Sequence, residues 1–130
     1  GESQLVIIAR ALAQESPVII MDEPTAHLDF HHELMILETI AKLVKENNIS
    51  VIMATHFPNH SFYFERIGIP TRVGILHDGE LAAIGKPQDV INQENLKKAF
   101  HIDSEMIKIN IEQTYQYHMV PLKTISEDSK

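Results

Sequence analysis

The sequence holds no cysteine, few basic residues and no long apolar run. Without cysteine there is no disulfide scaffold, so the fold must rest on a packed core, and a reducing compartment fits. Lys and Arg number 11 against 18 Asp and Glu, a formal net charge of −7 that argues against a broad nucleic-acid surface. No stretch approaches the roughly 20 apolar residues needed to span a bilayer. The chain opens Gly1-Glu2-Ser3-Gln4 without an initiator methionine and reads as a piece of something longer. It carries no internal repeat and no low-complexity segment. With 130 residues, 44% hydrophobic and 22% charged, it is globular and at most one ordinary domain. Such a chain can bury roughly two-thirds of its unfolded surface.

The rest is organised around Val18-Ile19-Ile20-Met21-Asp22-Glu23-Pro24-Thr25. Four apolar residues without polar alternation predict a strand buried on both faces, as in a parallel sheet covered by helices. Functional groups collect at the carboxyl ends of such strands, which is where Asp22 and Glu23 fall. Two adjacent carboxylates there suit a magnesium–nucleotide site, one holding the metal through water and the other orienting an attacking water. An acidic pair after a strand also serves as a helix cap or a turn.

Around this strand the pattern alternates. Ser3–Glu15 predicts a helix with Leu5, Ile8, Ala9 and Leu12 on one apolar stripe, and its first turn presents free N–H groups to an anion or to water. Asp29 is placed to cap a second helix whose stripe is Phe30, Leu34, Leu37, Ala41 and Val44, closed by Asn47-Asn48. Ile49–Ala54 predicts a second strand ending in Thr55-His56. Helix, strand, helix, strand is the grammar of a parallel sheet, which brings Glu23 and His56 to the same sheet edge.

Pro58 starts a short helix packed through Phe62, Tyr63 and Phe64. Arg72–His77 and Glu80–Ile84 flank the turn Asp78-Gly79 as a hairpin, and Pro87–Asn92 and Asn95–Phe100 predict short helices. Met106–Glu112 and Tyr115–Met119 alternate as a second hairpin around Gln113-Thr114, with the face of Ile107, Ile109 and Ile111 covered by the domain. His27, His31 and His32 read as loop and helix-start residues, since a metal site needs converging ligands.

Taken together these residues resemble the ATP-binding subunits of ABC transporters. Gly1-Glu2-Ser3-Gln4 is similar to the close of the signature loop, Val18–Asp22 with Glu23 to the Walker B strand and catalytic glutamate, Ala26-His27-Leu28-Asp29 to the D-loop, and His56 to the switch histidine. The elements follow family order over roughly the first 90 residues, and their joint match is far more specific than any one of them. The resemblance implies an α/β partial P-loop NTPase fold with a C-terminal antiparallel hairpin. It divides the chain into an ATPase core at 1–100, a hairpin extension at 101–125 and a disordered tail at 126–130.

It also implies roles. Asp22 holds Mg2+ through water, Glu23 polarises the hydrolytic water, and His56 contacts the γ-phosphate of ATP and orients Glu23. Gly1, Glu2, Ser3 and Asp29 act in trans across a head-to-tail dimer with a second ATPase subunit, and transmembrane permease subunits are the further partners. Nucleic acid is not a partner, and the place is cytoplasmic, on the inner face of the cell membrane. His27-Leu28-Asp29, Thr55–Asn59 and Phe100-His101 look most like importers of iron-siderophore, haem, cobalamin or other metal chelates.

Departures narrow the reading. No Gly-x-x-x-x-Gly-Lys-Ser/Thr loop is present: before Gly85-Lys86 the first-glycine position is Glu80, and Pro87 follows the lysine. The chain therefore reads as the C-terminal half of an ATPase subunit, inactive alone, because phosphate positioning and electrostatics both depend on that loop. Phe57 stands where the family often has Asp, and Ala26 where Ser is common. Two rivals differ in class: an ABC-type ATPase of DNA repair or chromosome maintenance, and a non-catalytic interaction fragment.

Overall fold

The computed structural model describes residues 2–126, with side chains from Gln4 onward. Gly1 and the 127–130 part of the expected tail lie outside the described residues. Two compact units meet at the Phe57–Pro58 bond.

The first unit contains α1 (Glu2–Ala13), β1 (Val18–Asp22), α2 (Phe30–Asn47) and β2 (Ser50–Ala54). β1 and β2 pair in parallel, Val18 opposite Ser50 through Asp22 opposite Ala54. The 18-residue α2 is the long connection that a parallel pair requires. It starts at the Asp29 cap and ends where Asn48 turns left-handed and donates to the Leu43 carbonyl.

Three expectations for this unit are corrected. β1 is not dry on both faces: Ile19 and Met21 are buried, but Val18 is exposed and Ile20 is 73% exposed. The register puts Ile20 beside the exposed Ile52, so one whole sheet face is bare. The α2 stripe is rotated: Ile36, Leu37, Ile40, Ala41 and Leu43 are buried, while Phe30 and Leu34 are exposed. Among the described side chains of α1 only Ile8 is buried, and Leu5, Ala9 and Leu12 are not. Periodicity defines a stripe; burial needs a second element laid over it.

The second unit contains α3 (Asn59–Arg66), β3 (Val73–His77), β4 (Glu80–Gly85), α4 (Pro87–Val90), α5 (Gln93–Phe100), β5 (Ile102–Ile111) and β6 (Thr114–Thr124). β3 and β4 form the expected hairpin, with Asp78 and Gly79 both at positive φ as a two-residue primed turn demands. The core is Phe62, Ile91, Leu96 and Met119, with Val73, Ile102, Met106 and Tyr117 packed against it. α3 lies on β6, where the Asn59 amide brackets Met119: its oxygen accepts from the Met119 N–H at 2.7 Å and its nitrogen donates to the Met119 carbonyl at 3.1 Å.

The β5–β6 hairpin is longer than expected and buries its other face. Its turn is Glu112-Gln113, one residue earlier than expected, so Ile111 pairs with Thr114, Ile107 with His118 and Met106 with Met119. Directly opposed residues share a face, and an even connection sets the isoleucines beside Gln116 and His118. Tyr117 and Met119 then share the opposite face with Met106, and that face joins the core. Ile107 and Ile109 are left exposed.

Candidate functional site

The carboxyl ends of β1 and β2 carry the acids and the imidazole. Beyond the Asp22–Ala54 pair, the Glu23 N–H donates to the Ala54 carbonyl at 2.8 Å and extends the ladder by one rung. Glu23 then turns left-handed, with φ at 48°, a conformation uncommon for a residue with a side chain. The chain folds into a tight loop on buried Pro24 and Thr25, held by Ala26 N–H to Glu23 O and Leu28 N–H to Thr25 O. Sparsely populated backbone of this kind concentrates at functional sites.

On the neighbouring strand the Thr55 hydroxyl accepts from the Phe57 N–H at 3.0 Å, a side-chain turn that throws His56 outward. His56 Nε2 stands 3.2 Å from Glu23 Oε1. The carboxylate is three-quarters buried and the imidazole largely exposed. Parallel topology thus joins the two residues expected to meet. Asp22 is exposed at the same strand end, on the bare face with Ile20. An exposed carboxylate beside a second carboxylate supplies the hard oxygen donors that magnesium takes through water, so this strand end fits that ion.

Asp29 is occupied locally. Its Oδ1 accepts from the His32 N–H at 2.9 Å and lies 2.6 Å from His32 Nδ1. The backbone hydrogen bond first, then the imidazole, holds its carboxyl below the usual carboxylate range. Glu2 and Ser3 open α1, and only their backbone is described; Gly1 lies outside the described residues. Sequence reasoning missed three features: the left-handed Glu23, the Thr55 turn and the His32 brace. An Asp-x-x-His spacing after a loop was the one available signal for the last.

No family model matches the chain. It is 30% identical to the molybdate import ATP-binding protein MolC of Haemophilus influenzae over 122 residues, 94% of this chain and 46% of that protein. It is 36% identical to the iron(3+)-hydroxamate import ATP-binding protein FhuC of Bacillus subtilis over 107 residues, 82% of this chain and 38% of that protein. A solved inward-facing ABC transporter, assigned to the metal-chelate type, matches with a TM-score of 0.81 at 29% identity, over 94% of this chain and 47% of the other. The chain is homologous to part of the ABC-transporter ATP-binding proteins. It spans less than half the length of these relatives. Its mixed α/β fold is that of part of an ABC ATPase. Among the described residues, no helix is long and apolar enough to cross a membrane.

Proposed function

We propose that the chain is the C-terminal part of the ATP-binding subunit of an ABC importer for a metal chelate, of the iron-siderophore, haem or cobalamin kind. Glu23 acts as the base that polarises the hydrolytic water, and His56 orients it. Asp22 holds Mg2+ through water beside bound ATP. Asp29 and the start of α1 at Gly1, Glu2 and Ser3 serve the opposite nucleotide across a head-to-tail dimer. Residues 1–100 supply the ATPase core and 101–125 a hairpin extension. The assembly works with transmembrane permease subunits on the cytoplasmic side of the membrane, and ATP turnover drives cargo movement.

The observation that carries this reading is the 3.2 Å contact of His56 with Glu23 at one end of the parallel β1–β2 pair. The name of the Bacillus relative and the type of the solved neighbour support the choice of cargo class. The chain holds no phosphate loop, so it is inactive alone and gains activity from a polypeptide that brings one.

The test is reconstitution. The chain is mixed with the N-terminal half of a homologous importer ATPase and phosphate release is followed. The expected result is magnesium-dependent turnover that Glu23→Gln abolishes; turnover untouched by Glu23→Gln overturns the assignment.

A further inference from the structure

Within the 58–130 unit, the end of α3, the start of α4 and the turn end of the β5–β6 hairpin line a half-open recess of about 300 Å³. That is the lower end of the size range of small-molecule sites. Two opposite charges, adjacent in sequence, line it: Glu65 and Arg66. They are not paired with each other. The amide nitrogen of Gln88, in the orientation its hydrogen bonding requires, donates to both Glu65 oxygens at 3.0 and 2.9 Å. Arg66 donates from Nε to the Gln116 amide oxygen at 2.7 Å. Each charge is therefore held by a neutral amide, with Lys86 the cation that acts on Glu65 and the Tyr63 ring centred 5.7 Å from the Arg66 guanidinium.

Both keep capacity. A carboxylate offers about four acceptor positions and Gln88 takes two; a guanidinium has five N–H donors and its Nη edge stays free of Gln116. Burial pushes the Glu65 carboxyl above its ordinary value, Lys86 pulls it back and Asp89 adds to the rise, while the Gln88 hydrogen bonds favour the charged form. The lining is also aromatic: Tyr115 and Tyr117 meet edge to face with centroids 5.5 Å apart, and Lys108 Nζ lies 4.1 Å from the Tyr115 ring centroid.

We infer that this cavity is a binding site for a small zwitterion of the α-amino acid class, its ammonium on Glu65, its carboxylate on the Nη edge of Arg66 and its side chain against Tyr115 and Tyr117. A cation alone would leave Arg66 unmatched, and an anion alone would leave Glu65 so. The two amide braces set the charges in place before a ligand arrives, which lowers the ordering cost of binding. The site lies wholly inside one unit and is independent of the nucleotide reading.

The test is calorimetric titration of the full 130-residue chain with L-phenylalanine, and with phenethylamine and 3-phenylpropionate, which each lack one charge. Saturable binding of L-phenylalanine at a Kd of roughly 1 mM or below is expected, since a few contacts supply about this affinity. Each one-charge analogue should bind at least about tenfold more weakly, because each leaves one fixed charge uncompensated. Glu65→Gln and Arg66→Gln should each lose a similar factor with the circular dichroism spectrum unchanged, while Lys123→Ala, outside the cavity, binds as wild type. Absence of saturable heat, equal binding of either analogue, or undiminished binding by both variants overturns the assignment.

Discussion

His56 Nε2 sits 3.2 Å from Glu23 Oε1, joining the end of one parallel strand to the end of the next. The Glu23 N–H also bonds the Ala54 carbonyl, so backbone and side chain tie the same two strand ends together. Residues that act as a unit lose function together, and the reconstituted ATPase should show it. Glu23→Gln is expected to lower kcat by about 10²–10⁴-fold, the ordinary contribution of a positioned base. Adding His56→Ala should then cost little more if, as proposed, the imidazole acts through the carboxylate. Steady-state phosphate release from the four proteins of the cycle checks this; fully multiplicative losses would separate the two residues.

The left-handed backbone at Glu23 makes a stability prediction independent of ATP. An L-residue there costs roughly 1–2 kcal/mol, a penalty glycine escapes. Glu23→Gly should therefore raise the melting temperature, even though the His56 contact is lost, and Glu23→Val should lower it. Thermal melts of the three chains decide.

Asn59 stands in for a missing neighbour strand on the free edge of β6. Its amide satisfies both the N–H and the carbonyl of Met119. Asn59→Ala leaves two partly buried main-chain groups unmatched and should cost about 1–3 kcal/mol in urea denaturation. Asn59→Asp keeps the acceptor but not the donor, and should fall between.

Glu65 and Asp29 give opposite pH dependences. The Glu65 carboxyl lies above 4.5 in the fold because burial disfavours its charge, so the unfolded state releases this proton first. Its contribution to stability is full below the ordinary glutamate value and is lost as pH rises through the folded one. Asp29 lies below 3.8, and its contribution is present above that value and lost as pH falls through the depressed one. Chemical denaturation from about pH 2 to about pH 7, which brackets the ordinary carboxylate range on both sides, should show Glu65→Gln flattening the upper slope and Asp29→Asn the lower.

The bare face of the β1–β2 sheet predicts a cost for charge. Val18, Ile20 and Ile52 are exposed on it, although parallel sheets are ordinarily covered on both faces. Under the proposed reading, the complementing half lies there. Ile20→Lys should make the isolated chain more soluble and weaken reconstitution by about 10–100-fold, the equivalent of about 1.5–3 kcal/mol for one aliphatic side chain kept from burial. Sedimentation of the chain alone and titration of the complementing half supply the two measurements.

How far the sequence reaches can be read from these residues. Local chemistry sufficed wherever a decision is made within a few residues: the Asp29 cap, the Asp78-Gly79 turn, the strand that ends at Asp22, and the grammar that brings Glu23 to His56. It could not say which side of an apolar element is covered. Both Ile20 and Ile19 are aliphatic, yet only Ile19 is buried, because burial depends on a second element laid over one face. The β5–β6 hairpin shows the same limit. Any two-residue turn pairs odd positions with even ones, so the isoleucines and the Tyr117–Met119 set take opposite faces, and packing alone decides that Met106, Tyr117 and Met119 enter the core while Ile107 and Ile109 meet solvent. The two contacts that most define the site and the second unit, Glu23 with His56 and Asn59 with Met119, join residues far apart in the chain. Spacing foretold the first because topology obliges it. The second depended on where one amide met one strand edge, and only the tertiary structure decides that.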